Sequence, residues 1–237
     1  MLWEENKREQ SFVVPDDIAD LSFKISCKQI ALDHAHDLSQ ALHLALPWLA
    51  DEQRAGVHLI HGASSGNGWQ RPEEEDGEDF IYLSKRSRMM LRMPKDRFED
   101  AQALVGQTLD IAGNAITVGD YQVKPLTSLG TLFARYILLQ ENETEDQLVA
   151  RLSSDMKAMG ITLNKALCGI SHEFRLPQGR VRTMSVMVAD LDPEESVLLQ
   201  THGIGDGRKM GFGLFIPHKG IKPVGDMSET SHFSGAE

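Results

Sequence analysis

Residues 203–220 read Gly203-Ile-Gly-Asp-Gly-Arg-Lys-Met-Gly-Phe-Gly-Leu-Phe-Ile-Pro-His-Lys-Gly220, and five of the six glycines fall within eleven positions. Just upstream, Asp192-Pro-Glu-Glu195 is a helix start: Asp192 suits the cap, Pro193 the first helical position, and Glu195 closes a capping box. That helix runs to about Thr201. Downstream, Leu214, Phe215 and Ile216 read as a short buried strand. The order is therefore helix, glycine-rich loop, strand, with Arg208 and Lys209 inside the loop. Dinucleotide and P-loop sites use the reverse order, strand then loop then helix, and hold phosphate at the helix N-terminus. Two readings remain. One is a loop whose backbone N–H groups and cations follow a phosphate backbone, as for RNA. The other is a long connection with no ligand. On the first reading the contacts are Gly203, Gly205, Gly207, Arg208, Lys209, Gly211 and Gly213.

Working back from this loop, the second half of the chain has one strand over 131–139 and a capping box at Thr144-Glu-Asp-Gln147. A helix follows, striped by Leu148, Leu152, Met156 and Met159 and ended by Gly160. Residues 166–170 and 181–188 form a hairpin, and the capped helix and final strand complete β-α-β-β-α-β. The first half repeats that order. Leu21, Phe23, Ile25 and Cys27 alternate with polar residues in a half-buried strand. Asp37-Leu-Ser-Gln40 resembles a capping box, and a helix over 38–49 follows. Strands are expected at 57–60, 80–83 and 88–93, and a helix at 95–105. A hairpin over 109–118 turns at Gly113-Asn114. The fold class is α+β, two tandem ferredoxin-like units, the β-α-β-β-α-β motif. Residues 19–124 form one domain and 130–222 the other, with flexible ends at 1–18 and 223–237.

Composition narrows the setting. The chain has 237 residues and a net charge of −11. No apolar run reaches the roughly 18 residues of a membrane span, and residues 1–8 are no signal peptide, so a cytoplasmic protein without a membrane partner is expected. Cys27 and Cys168 lack metal spacing and read as buried free thiols. Acidic residues crowd Glu73–Asp79 and Glu141–Asp146, while basic residues crowd Lys85–Arg97. For a polyanion the local field matters, not the total.

Two groups of residues carry candidate chemistry. His34 and His36 lie in Leu-Asp-His-Ala-His-Asp, between the first strand and the first helix. The helix dipole there favours neutral imidazole, while Asp33 and Asp37 favour the cation. A histidine titrating near neutrality suits acid–base chemistry, and the plain alternative is a surface or structural histidine. Arg86, Arg88 and Arg92 alternate along one strand, and Arg180 and Arg182 do so near a hairpin turn. Such rows suit a phosphate backbone, or are a solvated face. No metal site and no cofactor are expected.

These features together resemble the CRISPR-associated endoribonucleases that cut repeat RNA into guide RNAs. The resemblance rests on the tandem fold, the loop at Gly203–Gly213 and a histidine after the first strand. It also rests on Asp33-His34, on Tyr82-Leu-Ser-Lys-Arg-Ser-Arg88, on Met187-Val-Ala-Asp-Leu191 and on the ending Leu214–Gly220. It covers roughly residues 20–220. It implies a metal-independent cut, in which a ribose 2′-hydroxyl attacks the adjacent phosphate, the 5′-oxygen leaves and a 2′,3′-cyclic phosphate remains. It implies His34 as the acid or base, with His36 next, and CRISPR repeat RNA as the partner. The product could be retained with other subunits of a guide-RNA surveillance complex. The rival readings are a non-catalytic subunit that binds the RNA hairpin, and a sensor or enzyme for a small phosphorylated ligand.

Overall fold

The computed structural model describes residues 12–62 and 80–218. The acidic run at 73–79, the end of the chain past 218 and most of the N-terminal arm lie outside the described residues.

Two antiparallel sheets carry the fold. The first contains β1 (Ile18–Ser26), β3 (Gly56–His58), β5 (Arg88–Pro94), β6 (Thr108–Ile111) and β7 (Asn114–Pro125), in the order β3-β5-β1-β7-β6. The short strands β2 (Gln29–Ala31) and β4 (Phe80–Tyr82) pair apart from it. The second sheet contains β8 (Leu132–Leu138), β9 (Lys165–Leu176), β10 (Gly179–Ala189) and β11 (Phe215–Pro217), in the order β11-β8-β10-β9. Among the described residues four α-helices accompany them: α1 (Ala35–Ala45), α2 (Phe98–Ala101), α3 (Glu145–Ala158) and α4 (Pro193–His202). In the first sheet β1 lies between β5 and β7, and in the second β8 lies between β10 and β11, the ferredoxin-like arrangement expected from the sequence.

The capping signals explain two helices and mislead on a third. At α3, the Thr144 N–H donates to Gln147 Oε1 at 2.9 Å and the Gln147 N–H to Thr144 Oγ1 at 3.4 Å. Leu148, Leu152 and Met156 then face the second core. At α4, the Asp192 N–H donates to Glu195 Oε2 at 3.0 Å. The box expected at Asp37 does not form. Helix α1 begins at Ala35 with His34 as its cap residue, and it gives way at Pro47 to a 3-10 turn. The helix expected over 95–105 is one α turn between two 3-10 turns. The β6–β7 turn is Ala112-Gly113, whose φ angles of 51° and 76° make a type I′ turn one residue earlier than expected.

Strand β1 is buried on both faces from Ile18 to Phe23, not half-buried. One face meets the helices and the other meets the second half of the chain, so Asp20 and Ser22 are enclosed as well. Three rings join the halves. Phe174 of β9 packs edge-on against Tyr136 of β8 at 5.0 Å and against Phe212 at 5.2 Å, and all three lie in the core of the first domain. Cys27 and Cys168 are free and half-buried.

Candidate nucleic-acid interface

The glycine-rich loop fills the seam between the two halves. The Ile204 N–H donates to the Gly213 carbonyl at 3.0 Å, and the Gly213 N–H to the Tyr136 carbonyl at 2.8 Å. A Cβ on Gly213, at φ +70°, would stand 2.0 Å from the Ile204 oxygen, and one on Gly203 2.4 Å from the Gly213 oxygen. Gly211 rides on Leu59, and Gly207 on Phe212. Gly203 and Gly213 let the loop close backbone on backbone within the second half, and Gly211 lets it approach Leu59 of the first half. Gly205 is exposed, with open space around it.

The loop cations turn inward. The Arg208 guanidinium donates to the Thr201 carbonyl at 2.7 Å, to that of His202, and to the Arg54 carbonyl at 3.3 Å. It thereby satisfies the open carbonyls at the end of α4. Burial, with Arg92 nearby, pushes its pKa down to about 10 against the pull of Asp20, and it keeps its charge at neutral pH. Lys209 donates to the Ala50 carbonyl. Burial lowers its pKa, opposed by Asp51 and Glu52. The sequence reading made both residues RNA contacts. The structure corrects Arg208, whose charge is spent on the fold, and leaves Lys209 half-buried.

Arg92 needs the same correction. It is fully buried. Its Nε and Nη2 donate to the two carboxylate oxygens of Asp20 at 2.8 and 3.0 Å, and its Nη1 to the Gln200 and Phe215 carbonyls at 2.7 and 2.8 Å. It joins β1 and β5 to α4 and β11, where no RNA reaches it. Asp20 also accepts from His58 Nε2 at 3.2 Å. Burial pushes the Asp20 carboxyl up, but Arg92 and His58 outweigh it and hold the pKa well below the usual carboxylate range.

His34 is also an interior residue. Its Nδ1–H donates to the Ala31 carbonyl at 2.8 Å, and its Nε2 accepts the Ile60 N–H at 3.0 Å. Both ring nitrogens are occupied, which fixes a neutral tautomer and ties the start of α1 to the end of β3. With both nitrogens engaged, His34 serves as a link between β2, α1 and β3, an arrangement that does not favour the acid or base role expected of it. His36 lies two residues on, in the first turn of α1, and is half-exposed. Beside it Asp33 accepts the Arg175 N–H at 3.2 Å and has the Arg175 Nε at 3.7 Å. The β9–β10 hairpin thus reaches over to the α1 N-terminus. Arg180 and Arg182 lie exposed on that hairpin; Arg180 pairs with Glu173, and Arg182 stands opposite Glu173 in the ladder.

Arg86, Arg88 and Gly211 meet in one cavity of about 480 Å³ between the two halves. With them stand His58 and His61 from β3 and its exit, and Arg135 and Tyr136 from β8, none of which the sequence reading singled out as site residues. Two of them carried a signal in the sequence: His61, which sits just past the second strand and could neighbour the edge that holds His34 and His36, and Arg135, which alternates with Phe133 and Ile137 in β8. Burial lowers the Arg135 pKa, opposed by Tyr136. No Asp or Glu is among the described residues lining the cavity. In a chain of net charge −11, that makes a local cationic site. Tyr136 sits between His61 and His172, with ring centroids at 6.3 and 5.7 Å. Among the described residues no three His, Cys, Asp or Glu side chains gather as a metal would require, and no helix is long and apolar enough to cross a membrane.

The comparisons with known proteins agree with this architecture. The chain is 29% identical over 198 residues to the CRISPR-associated endonuclease Cas6 of Myxococcus xanthus (strain DK1622), covering 84% of this chain and 80% of that one. Among solved structures it is similar to a CRISPR associated protein Cas6, with a TM-score of 0.57 and 14% identity over 86% of this chain and 100% of that one. It is also similar to an RAMP protein described as binding different RNA substrates, with a TM-score of 0.56 and 13% identity over 84% and 98% of the two chains. At those identities the likeness speaks to the fold. The family model described as Cas6 Crispr matches residues 19–220, and this chain belongs to the Cas6 family.

Proposed function

We propose that this chain is an endoribonuclease that cuts CRISPR repeat RNA into guide RNAs without a metal. The observation that carries the reading is the cationic cavity. Arg86, Arg88 and Arg135 converge from both domains around a space with no described carboxylate on its wall. Arginine forks suit phosphates, and an enclosed site strengthens each contact. The attacking group is a ribose 2′-hydroxyl. It loses its proton, bonds to the neighbouring phosphorus, and the 5′-oxygen leaves with a proton, which gives a 2′,3′-cyclic phosphate and a 5′-hydroxyl. The protein holds the strand in line, balances the growing charge and moves the proton.

We assign the proton to His36. It is half-exposed at the positive end of α1, whereas His34 has no nitrogen to spare. One observation favours a second reading. His61 lines the cavity beside Arg135 and Tyr136, and His36 is not among the lining residues. The cut product stays bound and passes to a surveillance complex.

The test is incubation of labelled hairpin repeat RNA with wild type, His36→Ala and His61→Ala protein in EDTA, with analysis of the product ends. A single cut ending in a cyclic phosphate and lost in His36→Ala is expected. Loss in His61→Ala alone moves the role to His61. Tight binding with no cut by the wild type, with or without metal, makes the chain a non-catalytic hairpin-binding subunit.

A further inference from the structure

The same cavity has an apolar part of its lining that phosphate binding does not explain. Beside Arg86, Arg88 and Arg135 the lining includes Leu59, Met90, Leu214 and Ile216. Leu59 is fixed under Gly211, and a Cβ on Gly56 would stand 2.6 Å from the Leu214 side chain, so this wall is close-packed. A space that only gripped phosphates would gain nothing from an apolar side. Its volume of about 480 Å³ falls within the roughly 300–1,000 Å³ typical of sites for small organic molecules. That is room for one nucleotide and not for a duplex.

The cationic side is firmly built. Arg88 Nη1 donates to the Lys85 and Ser87 carbonyls, both at 2.8 Å, which holds its guanidinium against the turn before β5. The β4–β5 turn that carries it is closed by the Ser87 N–H on the Ser84 carbonyl at 2.9 Å. His58 is held by Asp20, Asp20 by Arg92, and Arg92 by the Gln200 and Phe215 carbonyls, so this part of the lining is anchored in both halves.

We infer that the cavity takes a single unpaired nucleotide of the RNA, its base against Leu59, Met90, Leu214 and Ile216 and its phosphate on Arg86, Arg88 and Arg135. This rests on the RNA-cleavage reading and adds to it a defined position in the RNA, read by shape and stacking outside the paired stem. Recognition of an extruded base is the general way proteins read RNA beyond a helix.

The experiment reads binding, not cleavage, so it stands apart from the activity. The full protein is titrated with hairpin repeat RNAs carrying one abasic nucleotide at each position outside the stem. The same set is titrated against Ile216→Ser and Arg88→Ala. In wild type, one abasic position should weaken binding about tenfold. That penalty should shrink to about twofold or less in Ile216→Ser, because the wall that the base touches has changed. In parallel, RNA with 4-thiouridine at that position is photo-crosslinked to the wild type and the adduct is mapped. Adducts on residues 58–61, 86–90 or 135–136 support the assignment. It is overturned if no abasic position matters, if the penalty is unchanged in Ile216→Ser, or if adducts map only to the β9–β10 hairpin. Abasic coupling in a protein that cuts no RNA would keep the nucleotide site and sink the enzyme reading.

Discussion

Replacing Arg92 by methionine should cost about 3–5 kcal/mol of folding stability, the range for breaking a buried ion pair from one side. The change leaves Asp20 enclosed with His58 as its remaining side-chain hydrogen-bond partner, and it leaves the Gln200 and Phe215 carbonyls without this donor. Both carbonyls belong to the second domain and Asp20 to the first, so the loss falls on the junction. Urea denaturation followed by tryptophan fluorescence measures it. The control is Asp20→Leu with Arg92→Met. Removing both charges together should recover most of the loss, because the desolvation of an unpaired carboxylate disappears with it. The pH dependence has a definite sign. The folded Asp20 carboxyl is held below its ordinary value of 3.8. Its contribution is therefore complete above that value and is lost as pH falls from there toward the depressed value. Wild type should lose stability more steeply below pH 3.8 than the double variant does. The reasoning is refuted if Arg92→Met costs less than about 1 kcal/mol, the worth of an exposed pair, while RNA affinity drops. That result would make Arg92 a surface contact.

Further outcomes follow from the same geometry. His34→Ala should cost about 1–3 kcal/mol, because the buried Ile60 N–H loses its acceptor, whereas His36→Ala should stay within roughly 0.5 kcal/mol and lose cleavage. Thermal melts beside a cleavage assay separate the two. Gly213→Ala combines a positive φ with a clash at 2.0 Å and should destabilise by well over the roughly 1–2 kcal/mol expected for Gly205→Ala, which has the same sign of φ in open space. Arg88→Ala should weaken RNA binding and reduce the slope of log affinity against log salt by about 1. Filter binding across a salt series reports both.

The sequence made the order of elements readable because the local signals were strong. Thr144-x-x-Gln147 and Asp192-Pro-x-Glu195 both cap as their chemistry dictates, and Gly160 ends its helix at φ +81°. Where local signals competed, it misled. Asp37-x-x-Gln40 looks like a cap, but His34 binds both Ala31 and Ile60 and starts α1 earlier. What remained hidden lies in contacts between the halves. Arg92 alternates with Arg88 as if both faced solvent, yet the second domain covers only Arg92. The loop glycines read as ligand contacts and serve close packing against Leu59, Phe212 and Ile204. The pair His58 and His61 is remote in the chain from the pair Arg135 and Tyr136, and the two carry no shared motif, so the closed junction is what brings them together.

The central claim is tested most directly by one substitution in the RNA. Hairpin repeat RNA is prepared with a single 2′-deoxy nucleotide on the 5′ side of the cut and incubated with wild type protein in EDTA. Binding should be unchanged, with no cut at that position, and the all-ribose control should give a single cut with a cyclic phosphate end. Cleavage of the deoxy RNA at the same bond would contradict attack by the 2′-hydroxyl, and with it the mechanism proposed for this chain.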